Sequence, residues 1–196
     1  MKSLLGIGSL LLAVAGILAD EPAALGQVKE FSLLDSKGTR HTTAEWKDSK
    51  AVVLLFLGTE CPVSNGYAPE YTRLAKQFRA RGVLFYGVHA DPEVTATVAA
   101  KHAAEFGLTF PVLLDPTHTV TRQAGVRVVP EAVMLSAQGR ILYRGRIDDR
   151  YSPEGRRREE PSSRDLENAL AAVVAGKAPP VAETRAFGCP LPEPAK

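Results

Sequence analysis

Chemistry in this chain concentrates on cysteine. Cys61 sits in FLGTECPVSNGYAPEY, between an apolar run and the start of a helix-periodic stretch, and the one other cysteine, Cys189, lies far away in AFGCPLPEP. A cysteine at a strand-to-helix junction meets the unpaired N–H groups of the first helical turn and the positive end of the helix dipole. Both favour thiolate over thiol, so the position suits a nucleophile. Pro62 fits a first turn without wasting a donor, and Ser64, three residues after Cys61, is placed to donate its hydroxyl to the thiolate. Glu60 opposes that shift unless its carboxylate points to solvent. The bland alternative is an inert core thiol.

Cys189 stands on a Pro-rich tail, and a mobile tail that folds back is what a resolving cysteine needs. With two cysteines, an intramolecular pair is the simplest arithmetic, although a permanent staple and a pair with another chain both stay open. His41, His89, His102 and His118 are scattered without metal-ligand spacing, so neither a metal nor another cofactor is expected. His89, at the end of an expected strand, lies where strand ends meet active sites in open α/β sheets and is kept as an outer candidate. Arg127, three residues before Pro130, is placed to pair electrostatically with a thiolate; its plain reading is a solvated arginine.

These residues must be positioned by a regular frame. FSLLDSKGTRHTT reads as a hairpin turning at Asp35–Gly38, and the continuous run Ala51–Gly58 as a central strand buried on both faces. Tyr67, Tyr71, Leu74 and Phe78 recur at helical spacing, which predicts a helix from about Asn65 to Arg81 ending at Gly82. There follow a strand over Val83–Ala90, a helix over Pro92–Gly107, a strand over Phe110–Asp115 and a short helix near Thr117–Ala124. Strands over Glu131–Ser136 and Arg140–Asp148 and a helix near Ser163–Ala175 complete the order βαβαβαββα. Helices between strands call for parallel pairing with right-handed crossovers, and the last two strands, joined by AQG, for an antiparallel hairpin. The expected architecture is α/β: one domain over 25–176 with a mixed central sheet and helices on both faces, then a tail over 177–196. DRYSPEGRRREEPSS reads as a solvated loop, its Arg156–Arg158 run included.

With 196 residues, 45% hydrophobic and 23% charged, the chain suits a single packed domain. A net charge of +2 with interspersed signs leaves no footprint for nucleic acid. The stretch from Ser3 to Ala19 is uncharged and shorter than the roughly 20 residues a membrane helix needs, so 1–19 reads as a signal peptide, with an uncleaved anchor as the alternative. Export, to a periplasmic or other extracytoplasmic space, is therefore expected, and membrane attachment only if that segment stays. Disulfides persist there.

The motifs also carry a resemblance. FLGTECPVS resembles the active-site stretch of thioredoxin-like proteins, and GVRVVPEAVMLSAQGRILYRGRIDD resembles their second landmark, a Val-Pro before the strand pair. Over Phe31 to about Ala175 the chain is similar to redoxins of the alkyl hydroperoxide reductase and thiol-specific antioxidant type. That implies a thioredoxin-like fold, a cis peptide at Val129–Pro130, and a groove there lying against Cys61. The departures are informative. Ser64 stands where a dithiol thioredoxin has its second cysteine, and Asn65 where copper-delivery relatives have theirs. In the peroxidase pattern Pro-x-x-x-Thr-x-x-Cys, Leu54 and Gly58 replace Pro and Thr; Thr59 is near but out of register, and is kept as a thiolate-supporting candidate.

Two functions follow. The first is an exported thiol oxidoreductase in which Cys61 attacks a peroxide or a protein or small-molecule disulfide, Cys189 resolves the product, and an unidentified thiol reductant restores the pair. The second is a non-catalytic module of the same fold that holds a partner peptide or a metal beside Cys61 and Pro130.

Overall fold

The computed structural model describes residues 25–29, 32–152 and 157–194. The expected leader over 1–19, Phe31 and Arg156 lie outside them. The first hairpin forms as read: β1 (Ser32–Leu34) pairs antiparallel with β2 (Arg40–Thr42), and Asp35 Oδ1 closes the turn by accepting from the N–H groups of Lys37 and Thr39 at 2.9 and 2.8 Å.

The frame of the molecule is β3 (Ala51–Leu57), buried at every residue. Val53, Leu55 and Leu57 enter one apolar cluster and Val52, Leu54 and Phe56 the other, so each face of the sheet is covered and the sequence reads as continuous apolar. On one side β4 (Val83–His89) runs parallel to β3, and β5 (Val112–Leu114) runs parallel to β4. After α4 (Thr119–Ala124) and β6 (Val128–Val129), β7 (Glu131–Leu135) lies on the other side of β3, and β8 (Ile141–Gly145) lies outside β7.

The strand after α4 departs from the expected parallel crossover: β7 runs antiparallel to β3. α4 is only six residues long, and after it the chain re-enters the sheet from the end it left, with Glu131 opposite Phe56 at the close of β3. The final hairpin, β7 with β8, is antiparallel as expected.

Two helices are shorter than their periodicity suggests. In place of one helix over Asn65–Arg81 there are α1 (Pro62–Gly66) and α2 (Ala68–Arg79), interrupted at Tyr67. Pro69 has no N–H to return to the carbonyl four residues back, so the α-ladder cannot run through it. α3 (Ala96–Glu105) starts after Pro92, because Thr95 is the cap, accepting from Val98 N at 3.3 Å. α5 (Asp165–Val174) packs Leu166, Ala169 and Leu170 into the core.

The tail is docked rather than loose. It follows β8, with Arg144 N donating to Ala182 O and Thr184 N to Arg144 O, each at 3.0 Å. Gly145 makes room for it, since a Cβ there would collide with Thr184. The tail then ends as β9 (Cys189–Pro190), antiparallel to β6, with Cys189 opposite Val129.

Candidate active site

Cys61 occupies the N-cap of α1 with extended backbone angles, and Pro62 takes the first turn. Asn65 N–H donates to the Cys61 carbonyl at 2.9 Å, which starts the helical ladder at the cysteine. The residue is 4% exposed, packed with Phe56, Val88 and Val129 in the second apolar cluster. Gly58 permits that packing: a Cβ there would lie 2.9 Å from Val129 Cγ2 and 3.0 Å from Cys61 Cβ. Glu60, the residue that could have opposed ionisation, is exposed to solvent.

Cys61 is joined to Cys189 in a disulfide with Cα atoms 6.1 Å apart. The peptide Val129–Pro130 is cis, and Cys61 Sγ lies 3.3 Å from the Val129 carbonyl oxygen. A disulfide sulfur has no proton to give, so that contact becomes a hydrogen bond only when Cys61 is a thiol. The strand pair Val129 with Cys189 thus presents the tail cysteine to the buried one, and Leu191 N donating to Arg127 O at 3.2 Å extends the pairing. Gly188 is fixed by contact: a Cβ on it would collide with the Val129 carbonyl oxygen and lie 2.8 Å from Pro130 Cδ.

The supporting residues are arranged differently from their reading in sequence. Ser64 is buried, and its Oγ accepts from Gly58 N at 3.2 Å, tying α1 to the end of β3; it makes no hydrogen bond to Cys61 Sγ in this oxidised form. Thr59 contributes its carbonyl, which accepts from Asn65 Nδ2 at 2.8 Å. Asn65 Oδ1 in turn lies 2.9 Å from His102 Nε2, and the His102 ring meets His89 edge-on with centroids 5.1 Å apart. A chain of polar groups therefore runs from the loop before Cys61 down to the end of β4. His89 is 1% exposed, and neither of its ring nitrogens has a hydrogen-bond partner among the described residues. Burial, reinforced by repulsion from His102, lowers its pKa to about 4, and burial lowers that of His102 as well. Both rings are neutral at pH 7. Sequence reading kept His89 but missed Asn65 and His102, because no local pattern links residues on α1, β4 and α3.

Tyr67, between α1 and α2, was also missed as a polar residue. Its hydroxyl donates to Asp148 Oδ1 at 2.5 Å, and burial followed by the carboxylate raises its pKa. Asp148 is 1% exposed and also accepts from Arg150 N at 2.8 Å. Arg127 stands exposed in the wall of a neighbouring cavity with Arg122, Arg144 and Arg185. No contact brings its guanidinium to Cys61. Among the described residues, no group of three or more His, Cys, Asp or Glu side chains is placed to hold a metal ion, and no helix is long and apolar enough to cross a membrane.

The arrangement can undergo thiol-disulfide chemistry: one buried and one partly exposed cysteine, joined in a pair whose second member lies on the two-residue strand β9. The AhpC/TSA family model matches residues 25–144. The thiol-disulfide oxidoreductase ResA of Halalkalibacterium halodurans is 29% identical over 117 residues, covering 59% of this chain and 64% of that protein. ResA of Geobacillus thermodenitrificans is 28% identical over 113 residues, covering 57% of this chain and 63% of that protein. The chain thus spans less than two thirds of the length of these relatives. Among solved structures, a hypothetical protein from Sinorhizobium meliloti 1021 superimposes with a TM-score of 0.78 at 24% identity, covering 90% of this chain and 98% of that one. An uncharacterised conserved protein from Geobacillus kaustophilus gives 0.77 at 24% identity, covering 90% and 96%. At that identity the superpositions speak for the fold alone.

Proposed function

Since the chain belongs to the AhpC/TSA family, we propose that it is an exported thiol-disulfide oxidoreductase whose redox couple is Cys61 and Cys189. One observation carries the reading: Cys61, at the start of α1, is bonded to Cys189, which β9 holds against β6. In the reduced protein the Cys61 thiolate attacks one sulfur of a substrate disulfide, forming a mixed disulfide and expelling the other sulfur as thiolate. Cys189 then attacks Cys61 Sγ and expels the second substrate thiolate. The substrate gains two electrons and the protein ends as the disulfide seen here.

The chain's own groups fit these steps. When Cys61 is not bonded to Cys189, the N–H groups of the first turn of α1 are the donors offered to an N-cap side chain, which favours the thiolate. The neutral His89 and His102 pair, acting through Asn65, holds the Thr59 carbonyl and so the loop that presents Cys61. Disulfide substrates are favoured over peroxide because position 58, where the peroxidase pattern has threonine, is a glycine enclosed by Val129 and Cys61. Export and the domain limits 25–176 belong to the same proposal, and the reaction is the one for which the similar ResA is named.

The test is to react the reduced protein with a stoichiometric disulfide substrate or with hydrogen peroxide, and to read both cysteines by mass spectrometry. The expected result is rapid closure of Cys61–Cys189 with the disulfide, a trapped mixed disulfide on Cys61 in Cys189→Ser, and no turnover in a folded Cys61→Ser. Faster closure with peroxide through a sulfenic acid would make it a thiol peroxidase. A Cys61 thiol of ordinary or raised pKa that exchanges with neither would make it a binding module.

A further inference from the structure

The tail and the segment joining α4 to β6 enclose an open cavity of about 920 Å³ whose wall carries Arg122, Arg127, Arg144 and Arg185 against Glu131 and Glu183. Arg144 is committed to Glu183 and to the Ala124 carbonyl, and Arg122 donates to the Thr117 carbonyl at 2.7 Å. Arg127 and Arg185 are exposed, and neither guanidinium has a hydrogen bond or ion pair with another described residue. Glu131 is 8% exposed and burial raises its pKa, and Glu183 is taken up by Arg144. The cavity therefore presents two uncommitted guanidiniums. Val128 lines it and pairs with Pro190, the residue after Cys189, so the cavity lies beside the β6–β9 pair. Of the two cysteines, Cys189 is partly exposed and Cys61 is buried.

We propose that this cavity receives thiols that carry carboxylates close to the reacting sulfur, and that these are the reductants that open Cys61–Cys189. The proposal rests on the reading that this pair cycles. A bound thiolate attacks Cys189 Sγ: a bond forms between its sulfur and that of Cys189, the Cys61–Cys189 bond breaks, and Cys61 leaves as thiolate. A second thiolate attacks the mixed disulfide, so that two thiols become one disulfide and the protein gains two electrons. Guanidinium matches the planar carboxylate with two parallel hydrogen bonds, which an alcohol or ammonium substituent cannot reproduce. The volume lies within the range that holds small ligands, so either a small acidic thiol or a short acidic stretch flanking a cysteine can be accommodated.

The experiment measures second-order rate constants for opening the disulfide of the oxidised full chain at low ionic strength, by alkylation and mass spectrometry. The probes are cysteamine, 2-mercaptoethanol, 3-mercaptopropionate and mercaptosuccinate, with a Cys-Glu-Glu peptide set against a Cys-Gln-Gln peptide. Each rate is corrected for the basicity of its thiol. Electrostatic steering into a cationic cleft predicts that mercaptosuccinate exceeds 2-mercaptoethanol by at least about tenfold, with cysteamine slowest. The ratio should collapse towards one in the Arg127→Gln, Arg185→Gln double variant and in about 0.5 M salt. A larger gain for the small thiol or for the Glu peptide identifies the source. Rates indifferent to thiol charge, or a preference that survives the double substitution, overturn the proposal. If no thiol opens the disulfide at all, it is the oxidoreductase reading that fails.

Discussion

Gly188→Ala should make the Cys61–Cys189 bond easier to reduce while leaving the domain folded. A Cβ at 188 collides with the Val129 carbonyl oxygen, comes within 2.6 Å of the Val129 carbonyl carbon and lies 2.8 Å from Pro130 Cδ. All three are backbone or proline-ring atoms, which cannot rotate away, so the tail has to lift. Lifting it loses the Leu191 to Arg127 hydrogen bond and loosens the β6–β9 pair. At about 1 kcal/mol net per bond, roughly 2 kcal/mol of the support for the closed tail disappears. On the proposal that reduction frees the end of the tail, the loss falls on the disulfide form. For a two-electron couple about 1.4 kcal/mol corresponds to 30 mV, so the midpoint potential should rise by about 40 mV, a factor of about 30 in the closure equilibrium. The assay is equilibration with a dithiothreitol redox buffer and counting of alkylated cysteines. A midpoint within about 10 mV of the parent would refute the reasoning, since 10 mV is under 0.5 kcal/mol.

Other outcomes can be stated more briefly. Because His89 titrates near 4 in the folded protein against the ordinary 6.5, the unfolded chain binds the extra proton first as pH falls, and stability should decline between about pH 6.5 and 4 by up to about 3 kcal/mol. Urea unfolding of the parent and of His89→Leu across that window should show a shallower decline in the variant. Tyr67→Phe removes a donor from buried Asp148 and should lower stability by about 1–3 kcal/mol in the same measurement; an unchanged midpoint would mean that Arg150 alone satisfies the carboxylate. Ser64→Ala should weaken the tie to Gly58 N and leave the Cys61 pKa of the reduced protein near its parent value. A rise of roughly one unit or more on alkylation titration would instead establish a hydroxyl–thiolate bond.

What the sequence discloses depends on how local the signal is. The run Ala51–Gly58 betrays a doubly covered strand because seven consecutive apolar residues need two apolar faces, and the Pro after Cys61 marks the helix start. The break at Tyr67 was also written locally, in Pro69, but the periodicity of Tyr71, Leu74 and Phe78 outweighed it. Nothing local could disclose β9: two residues have no periodicity, and their partner strand lies some sixty positions upstream. The link from Thr59 through Asn65 to His102 is of the same kind, assembled by the close approach of α1 and α3 over the ends of β3 and β4. Ser64 illustrates a different limit. Its spacing from Cys61 was legible, but which way its hydroxyl points depends on the competing N–H of Gly58.

The disulfide spans 128 positions, so its ring takes in most of the folded chain. In the chain-entropy description, a cross-link of that length restricts the unfolded ensemble by about 5 kcal/mol at 25 °C, a quantity comparable with the whole stability of many domains. Each reduction therefore removes a global tether along with a local bond. On the proposed cycle the thiol form is the less stable one, and closing the ring on a substrate disulfide restores the tether. If the chain works as proposed, a shortage of disulfide substrate would leave more of it without the tether, coupling its turnover to the supply of that substrate.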